Sequence, residues 1–282
     1  MNERVILLLL LASLLSCKSN MEAIVVRDRD KELLEEIFEL HKGDTDLPVS
    51  ALMVSVGNFF LETPYVAHTL ETGEEEQLII NLRELDCTTY AENCLALSRT
   101  IRSGNLSIEQ FASELQNIRY LDGKIHGYPS RLHYFCDWSH TNAQKGLITD
   151  LPEDLEQTAF RKEINFMSTH PDSYRRLKED STLIEPIAAR EKLISSRDMH
   201  FVPETGIAAV EDRLKDGDIV GITTSIEGIA IQHVGILVRV NGRIHLLHAS
   251  STAEKVVLSD DTLEDYLLNS RSATGIMLAR PV

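Results

Sequence analysis

The sequence predicts a mixed protein, with amphipathic helices through its first two thirds and antiparallel sheet from residue 217 to the end. Three observations carry this. Apolar residues recur at helical spacing between residues 29 and 61, two apolar runs flank Asn241-Gly242, and a cysteine stands at the start of a further helical pattern at residue 87.

The chain begins Met-Asn-Glu-Arg, followed by an apolar run from Val5 to Leu15 and then Ser16, Cys17 and a polar stretch. A run this short does not span a bilayer as a helix, which takes about 20 residues, and it reads as a secretory signal region. Residues 1–16 are therefore expected to be a signal peptide and residues 17–282 a single domain. No second long apolar run follows, and the rest of the chain is long enough to build its core without disulfides.

Residues 29–42 place Leu33, Leu34, Ile37, Phe38 and His41 on one helical face, and residues 49–61 repeat the pattern behind Pro48. A short strand is expected at Gln77–Leu82. From Cys87 to about Arg102, Tyr90, Ala91, Cys94, Leu95 and Leu97 fit a helix with Asp86 as N-cap and Gly104 at its end, and Ser107 caps the next helix, which runs to about Arg119. Residues 105–200 read as a largely helical insertion. Within it, the segment Tyr128 to Trp138 gathers aromatics, Arg131 and Asp137; it is either part of a binding site or a buried strand. Further on, Ile219–Thr223, Ala230–Val240 and Arg243–Ser250 read as strands, the last two closed by Asn-Gly into a hairpin. A turn centred there sets His233 and His248 two positions off direct pairing, diagonal neighbours within side-chain reach.

The net charge of -16 and the lack of a basic stripe exclude nucleic acid as a partner. Four cysteines need places. Cys87, in the first turn of a helix, lies where free amides and the helix dipole favour a thiolate. Cys94, seven residues on, reads as a core residue, and Cys94 and Cys136 are the pair left to form a disulfide. A cysteine alone is more often structural, and a strand histidine is more often a satisfied core residue. Together, Cys87, His233 and His248 supply a nucleophile, a base and an orienting group. His245 falls on the opposite strand face from His248. Ten histidines raise the question of zinc, but no His-Glu-x-x-His or paired Cys-x-x-Cys spacing is present, and neither is a Gly-x-Ser-x-Gly elbow or a phosphate loop.

The segments LDCTTYAE, QHVGIL and HASS are similar to the signature segments of the NlpC-type papain-like cysteine hydrolases of bacterial cell walls. VGNFFLETPYVAHTLE, YPSRLHYFCDW, FMSTHPDSY and LKDGDIV resemble, more narrowly, the N-acetylmuramoyl-L-alanine amidase-like branch. Leu14-Leu15-Ser16-Cys17 resembles a bacterial lipobox. The resemblance implies an α+β papain-like fold, with the Cys-bearing helix on an antiparallel sheet and a large helical insertion. It implies Cys87 as nucleophile, His233 as base and His248 as its orienting group, with no metal or organic cofactor. The substrate implied is a muropeptide or peptidoglycan fragment, cut between N-acetylmuramic acid and L-alanine. The lipobox likeness implies lipidation of Cys17 and a membrane-anchored protein in the periplasm or at the cell surface. Tyr65, Arg131, Asp137 and Trp138 are candidate substrate contacts. Two alternatives remain open from sequence: a γ-D-glutamyl-diamino acid endopeptidase of the same fold, and a non-catalytic muropeptide-binding lipoprotein. The helix start departs from the broader pattern, reading Asp-Cys-Thr-Thr where relatives often have Asp-Cys-Ser-Gly.

Overall fold

The computed structural model describes residues 24–150, 155 and 157–282. The expected signal region and Cys17 lie outside the described residues. In chain order the elements are β1 (Val25–Val26), α1 (Asp28–His41), α2 (Val49–Phe59), β2 (Ile79–Ile80), α3 (Cys87–Ser103), α4 (Ile108–Arg119), α5 (Phe135–Gln144), β3 (Ile148–Thr149), β4 (Thr158–Phe160), α6 (Phe166–Thr169) and α7 (Arg175–Glu179). Then come α8 (Ile184–Ser195), β5 (Met199–Pro203), α9 (Ile207–Val210), β6 (Ile219–Thr224), β7 (Ile231–Val240), β8 (Arg243–Ser250), β9 (Lys255–Thr262), α10 (Leu263–Leu268) and β10 (Ala273–Pro281), with 3-10 turns between some of them. Among the described residues no helix is long and apolar enough to cross a membrane.

The helix starts follow local chemistry. Asp86 caps α3, its Oδ1 accepting from Thr89 N at 2.7 Å while Asp86 N donates to Thr89 Oγ1 at 2.9 Å. Gly104 ends that helix at φ 74°, and Ser107 Oγ accepts from Gln110 N to open α4. The predicted strand at 77–82 shrinks to β2, which pairs in parallel with β1. Asp30 of α1 holds the chain beyond it, accepting from Leu82 N and Arg83 Nε at 2.9 Å each.

The main sheet is antiparallel, in the order β4-β5-β10-β6-β7-β8-β9, with β3 pairing β10. On one face α2 and α3 bury Leu52, Met53, Val56, Cys94 and Leu95 against Ile236, Leu247 and Ala249. On the other, Ile222, Leu237 and Leu246 pack with Leu263 and Leu267 of α10. Each face therefore excludes water over a continuous apolar layer, the main source of stability here. Gly57 shows how closely α2 approaches: a β-carbon there would lie 2.6 Å from Tyr90 Oη and 2.9 Å from Leu247 Cδ2.

The hairpin has the predicted register. Asn241 and Gly242 take φ of 50° and 87°, the two positive values of a type I′ turn, and Val240 pairs Arg243 while Ile236 pairs Leu247. The stretch read as a helical insertion differs from expectation. It carries α4, α5 and α8 but also β3, β4 and part of β5, because short extended pieces there extend the sheet on the β10 side. The segment around Tyr128 is a 3-10 turn leading into α5, not a strand.

Candidate active site

A cleft of about 470 Å³ opens where the first turn of α3 meets the start of β7. Asp86, Cys87, Thr88 and Glu92 form one wall, and His233 and Val234 another. Arg131 and Glu71 stand at one side, and Phe166, Tyr174, Ile226 and Ile229 at another.

The route by which cysteine and histidine share this cleft is not visible in strand alternation. Val234 and Ile236 face α3, so His233 points to the α10 side, as does His248, whose neighbour Leu246 packs there. The β7–β8 ladder runs from Val240–Arg243 to Ile236–Leu247 and stops short of both histidines. At that open end Cys87 and Val234 line the cleft together with Thr88.

His233 Nε2 and His248 Nδ1 stand 2.6 Å apart, with the rings at 84° to one another. Tyr266 of α10 covers both: its ring lies over His233 at 6.4 Å and 24°, and edge-on to His248 at 5.6 Å. Burial, and the charge Cys87 would carry, push the Tyr266 phenol up. Gly235 makes room for this packing, since a β-carbon there would lie 2.5 Å from Leu246 Cδ1 and 3.1 Å from His248 Cβ. Sequence reasoning missed Tyr266, because α10 reaches the histidines only through tertiary packing.

Burial dominates the electrostatics. It pushes the Cys87 thiol up to about 11, with the Asp86 carboxylate adding to the effect and the hydrogen bonds from Val234 and Thr88 opposing it. It pushes His233 down to about 4, and His248, beside His233, down to about 3. The helix start was expected to favour a resting thiolate; desolvation and the Asp86 carboxylate work against that charge. The resting pair is a thiol and a neutral imidazole. Tyr65, bridged to Leu85 two residues before Cys87, is pushed up to about 12 by burial and by Cys87 and Asp86, and stays a hydrogen-bond donor.

Arg131 lines the cleft as expected. The other three candidates, Tyr65, Asp137 and Trp138, are not among its lining residues. Asp137 is buried and its carboxylate is taken up by Arg190, through two bonds of 2.7 Å, and by Arg197 at 2.9 Å. Trp138 lies in the core, stacked on Phe135 at 5.6 Å, behind the cleft wall formed by Thr88, Glu92 and Val234. Both side chains project inward from α5, so their role is to hold that helix. Cys94 and Cys136 are free and sit in separate apolar clusters, so no disulfide links them. His245 bonds Ser259 O through Nδ1, away from the dyad. Among the described residues no three His, Cys, Asp or Glu side chains cluster to hold a metal ion.

Residues 55–276 match the family described as AmiA-like, N-acetylmuramoyl-L-alanine amidase-like. The chain belongs to this family. A crystal structure of an N-acetylmuramoyl-L-alanine amidase from Bacteroides uniformis ATCC 8492 is similar over 83% of this chain and 98% of that chain, with 38% identity and a TM-score of 0.79. A Bacteroides fragilis protein provisionally called a xylanase is similar over 80% and 99%, with 38% identity and a TM-score of 0.73. A Legionella pneumophila protein shares the fold at 20% identity over 90% and 95%, with a TM-score of 0.63. No curated protein matches the chain. The family match supports an amidase-like hydrolase related to peptidoglycan.

Proposed function

We propose that the chain is a cysteine amidase of papain-like NlpC type that hydrolyses the amide between the lactyl group of N-acetylmuramic acid and L-alanine of a muropeptide. The observation that carries this is the 2.6 Å contact between His233 Nε2 and His248 Nδ1 at the end of the cleft that Cys87 also lines. With Nε2 committed to His248, Nδ1 of His233 is the atom available to the thiol. A base at Nδ1 requires the proton on Nε2, donated to His248 Nδ1, and therefore an Nε2-protonated His248.

Because the resting pair is neutral, proton transfer accompanies attack. The sulfur bonds to the lactyl carbonyl carbon as His233 takes the thiol proton. The oxyanion meets the phenol of Tyr65 and amides at the start of α3. The C–N bond then breaks, His233 returns the proton to the leaving amine of L-alanine, and a thioester remains on Cys87. Water, deprotonated by His233, adds to the thioester and releases the muramyl carboxylate and the thiol. Tyr266 shields both imidazoles and fixes their planes.

The xylanase name given to the Bacteroides fragilis relative finds less support in this cleft. Retaining and inverting glycosidases work with a pair of available carboxyl groups. Here Glu92 pairs Arg119 at 2.7 Å and Asp86 caps α3 through Thr89 N at 2.7 Å, so Glu71 has no second available carboxyl group to work with. We also propose that the leader directs export and that Cys17 carries a lipid, which would place the enzyme outside the cytoplasm beside its substrate.

The thioester is the step to test. Rapid acid quenching of the protein with a defined muramyl peptide, followed by intact-mass measurement, is expected to show a muramyl adduct on Cys87 that Cys87→Ser replaces with a more stable ester or loses. Turnover with no adduct under any quench, and undiminished in Cys87→Ala, would remove the cysteine from the mechanism.

A further inference from the structure

The guanidinium of Arg131 is the buried cation of the cleft wall, only 8% exposed, and it lies 5.0 Å above the ring of Tyr128. Two carboxylates from the segment Glu71–Glu76 approach it. Glu76 Oε1 is 3.4 Å from Nε and Glu71 Oε1 is 3.5 Å from Nη2, both longer than a charge-assisted hydrogen bond. Arg131 Nε makes no hydrogen bond among the described residues. Arg131 lines the cleft and neither glutamate meets it at charge-assisted distance, so its guanidinium is poised for a better acceptor.

The two glutamates are not held equally. Glu76 also accepts from Tyr120 Oη at 2.8 Å and does not line the cleft. Glu71 lines it, and its other bond, from Tyr128 Oη, is 3.3 Å. The segment between them is tied down by Arg175 Nη2, which donates to Gly73 O at 2.6 Å. Glu71 can therefore leave by turning its own side chain while the backbone stays anchored.

We infer that Glu71 is a placeholder for a carboxylate of the bound stem peptide, which displaces it to pair with Arg131. This rests on the muramyl-peptide reading above and names the feature of the peptide that the cleft selects. Two carboxylates already share one cation, so a ligand carboxylate entering beside both would add a third negative charge. Exchange for Glu71 keeps the local charge unchanged. A guanidinium accepts a carboxylate through two parallel bonds, which a carboxamide cannot reproduce. The cleft thus discriminates a peptide with a free carboxylate near the scissile alanine from the same peptide amidated at that position.

Binding to the Cys87→Ala protein, in which turnover is blocked, tests this by calorimetry with two probes: N-acetylmuramyl-L-alanyl-D-glutamate with its α-carboxylate free, and the same compound with that group as the carboxamide. The free acid is expected to bind about tenfold or more tightly. Adding Glu71→Gln, which removes the competing charge without emptying the site, is expected to tighten the acid several-fold and change the amide little. Equal binding of the two probes, or a weaker acid in Glu71→Gln, would overturn the placeholder. Binding of neither probe would overturn the muramyl reading beneath it, a pattern distinct from equal binding.

Discussion

His233 and His248 meet on a diagonal of the β7–β8 hairpin, Nε2 to Nδ1 at 2.6 Å, beyond the point where the ladder between their strands ends. The contact fixes which nitrogen of His233 is left for chemistry. In the proposed mechanism it makes His248 an orienting residue with no direct part in bond making.

Replacement of His248 should therefore lower kcat and leave KM nearly unchanged. His248→Ala is expected to cost about 10²- to 10⁴-fold in kcat, with a smaller loss for His248→Asn, whose amide still offers His233 a partner. Steady-state kinetics alongside a denaturation curve separates this from unfolding. An equal rise in KM would assign His248 to substrate binding instead.

The neutral resting state has a signature in alkylation. With the Cys87 thiol pushed up to about 11, iodoacetamide should modify the free protein at a rate that climbs about tenfold per pH unit between pH 7 and 9. A rate that is already high and flat at neutral pH would mean a preformed thiolate. Peptide mapping identifies the modified cysteine, since Cys94 and Cys136 are buried and burial pushes both thiols up as well.

Three histidines with lowered pKa values set an acid limit on stability. Burial pushes His133 to about 3, His233 to about 4 and His248 to about 3, from an ordinary value of 6.5. Below pH 6.5 the unfolded chain takes up protons that the folded chain does not, so their contribution is complete above pH 6.5 and falls as the pH drops toward 4. Urea midpoints measured from pH 7.5 to 4 should decline through this window. A midpoint that holds or rises on acidification would contradict the neutral assignment.

Gly235 is a steric requirement of the dyad. Gly235→Ala would press a methyl onto Leu246 Cδ1 and His248 Cβ, with an expected cost of about 1–3 kcal/mol and a loss of activity. Gly43→Ala, where nothing lies within 4 Å, is the matched control and should change neither. Urea denaturation and turnover of the two variants check both statements.

Much of the local structure was legible in the sequence. The Asn241-Gly242 turn sets its own register through two positive φ values, and with it the diagonal of His233 and His248. Asp86 announced the start of α3 because capping is a local interaction. What escaped depends on distant residues. Asp137 looked like a substrate contact because Arg190 and Arg197, which neutralise it, come from and just beyond α8. Tyr266 was invisible for the same reason. The desolvation that pushes the Cys87 thiol up was equally hard to read, since it comes from the whole fold, whereas the helix dipole is local.

The most direct test of the account is product analysis by mass spectrometry. A soluble form starting at residue 24 would be incubated with a defined muramyl peptide, beside Cys87→Ala. Release of the intact stem peptide with a free L-alanine amino terminus by the wild type, and by it alone, is the predicted result. Cleavage deeper in the stem, or equal release by Cys87→Ala, would contradict it.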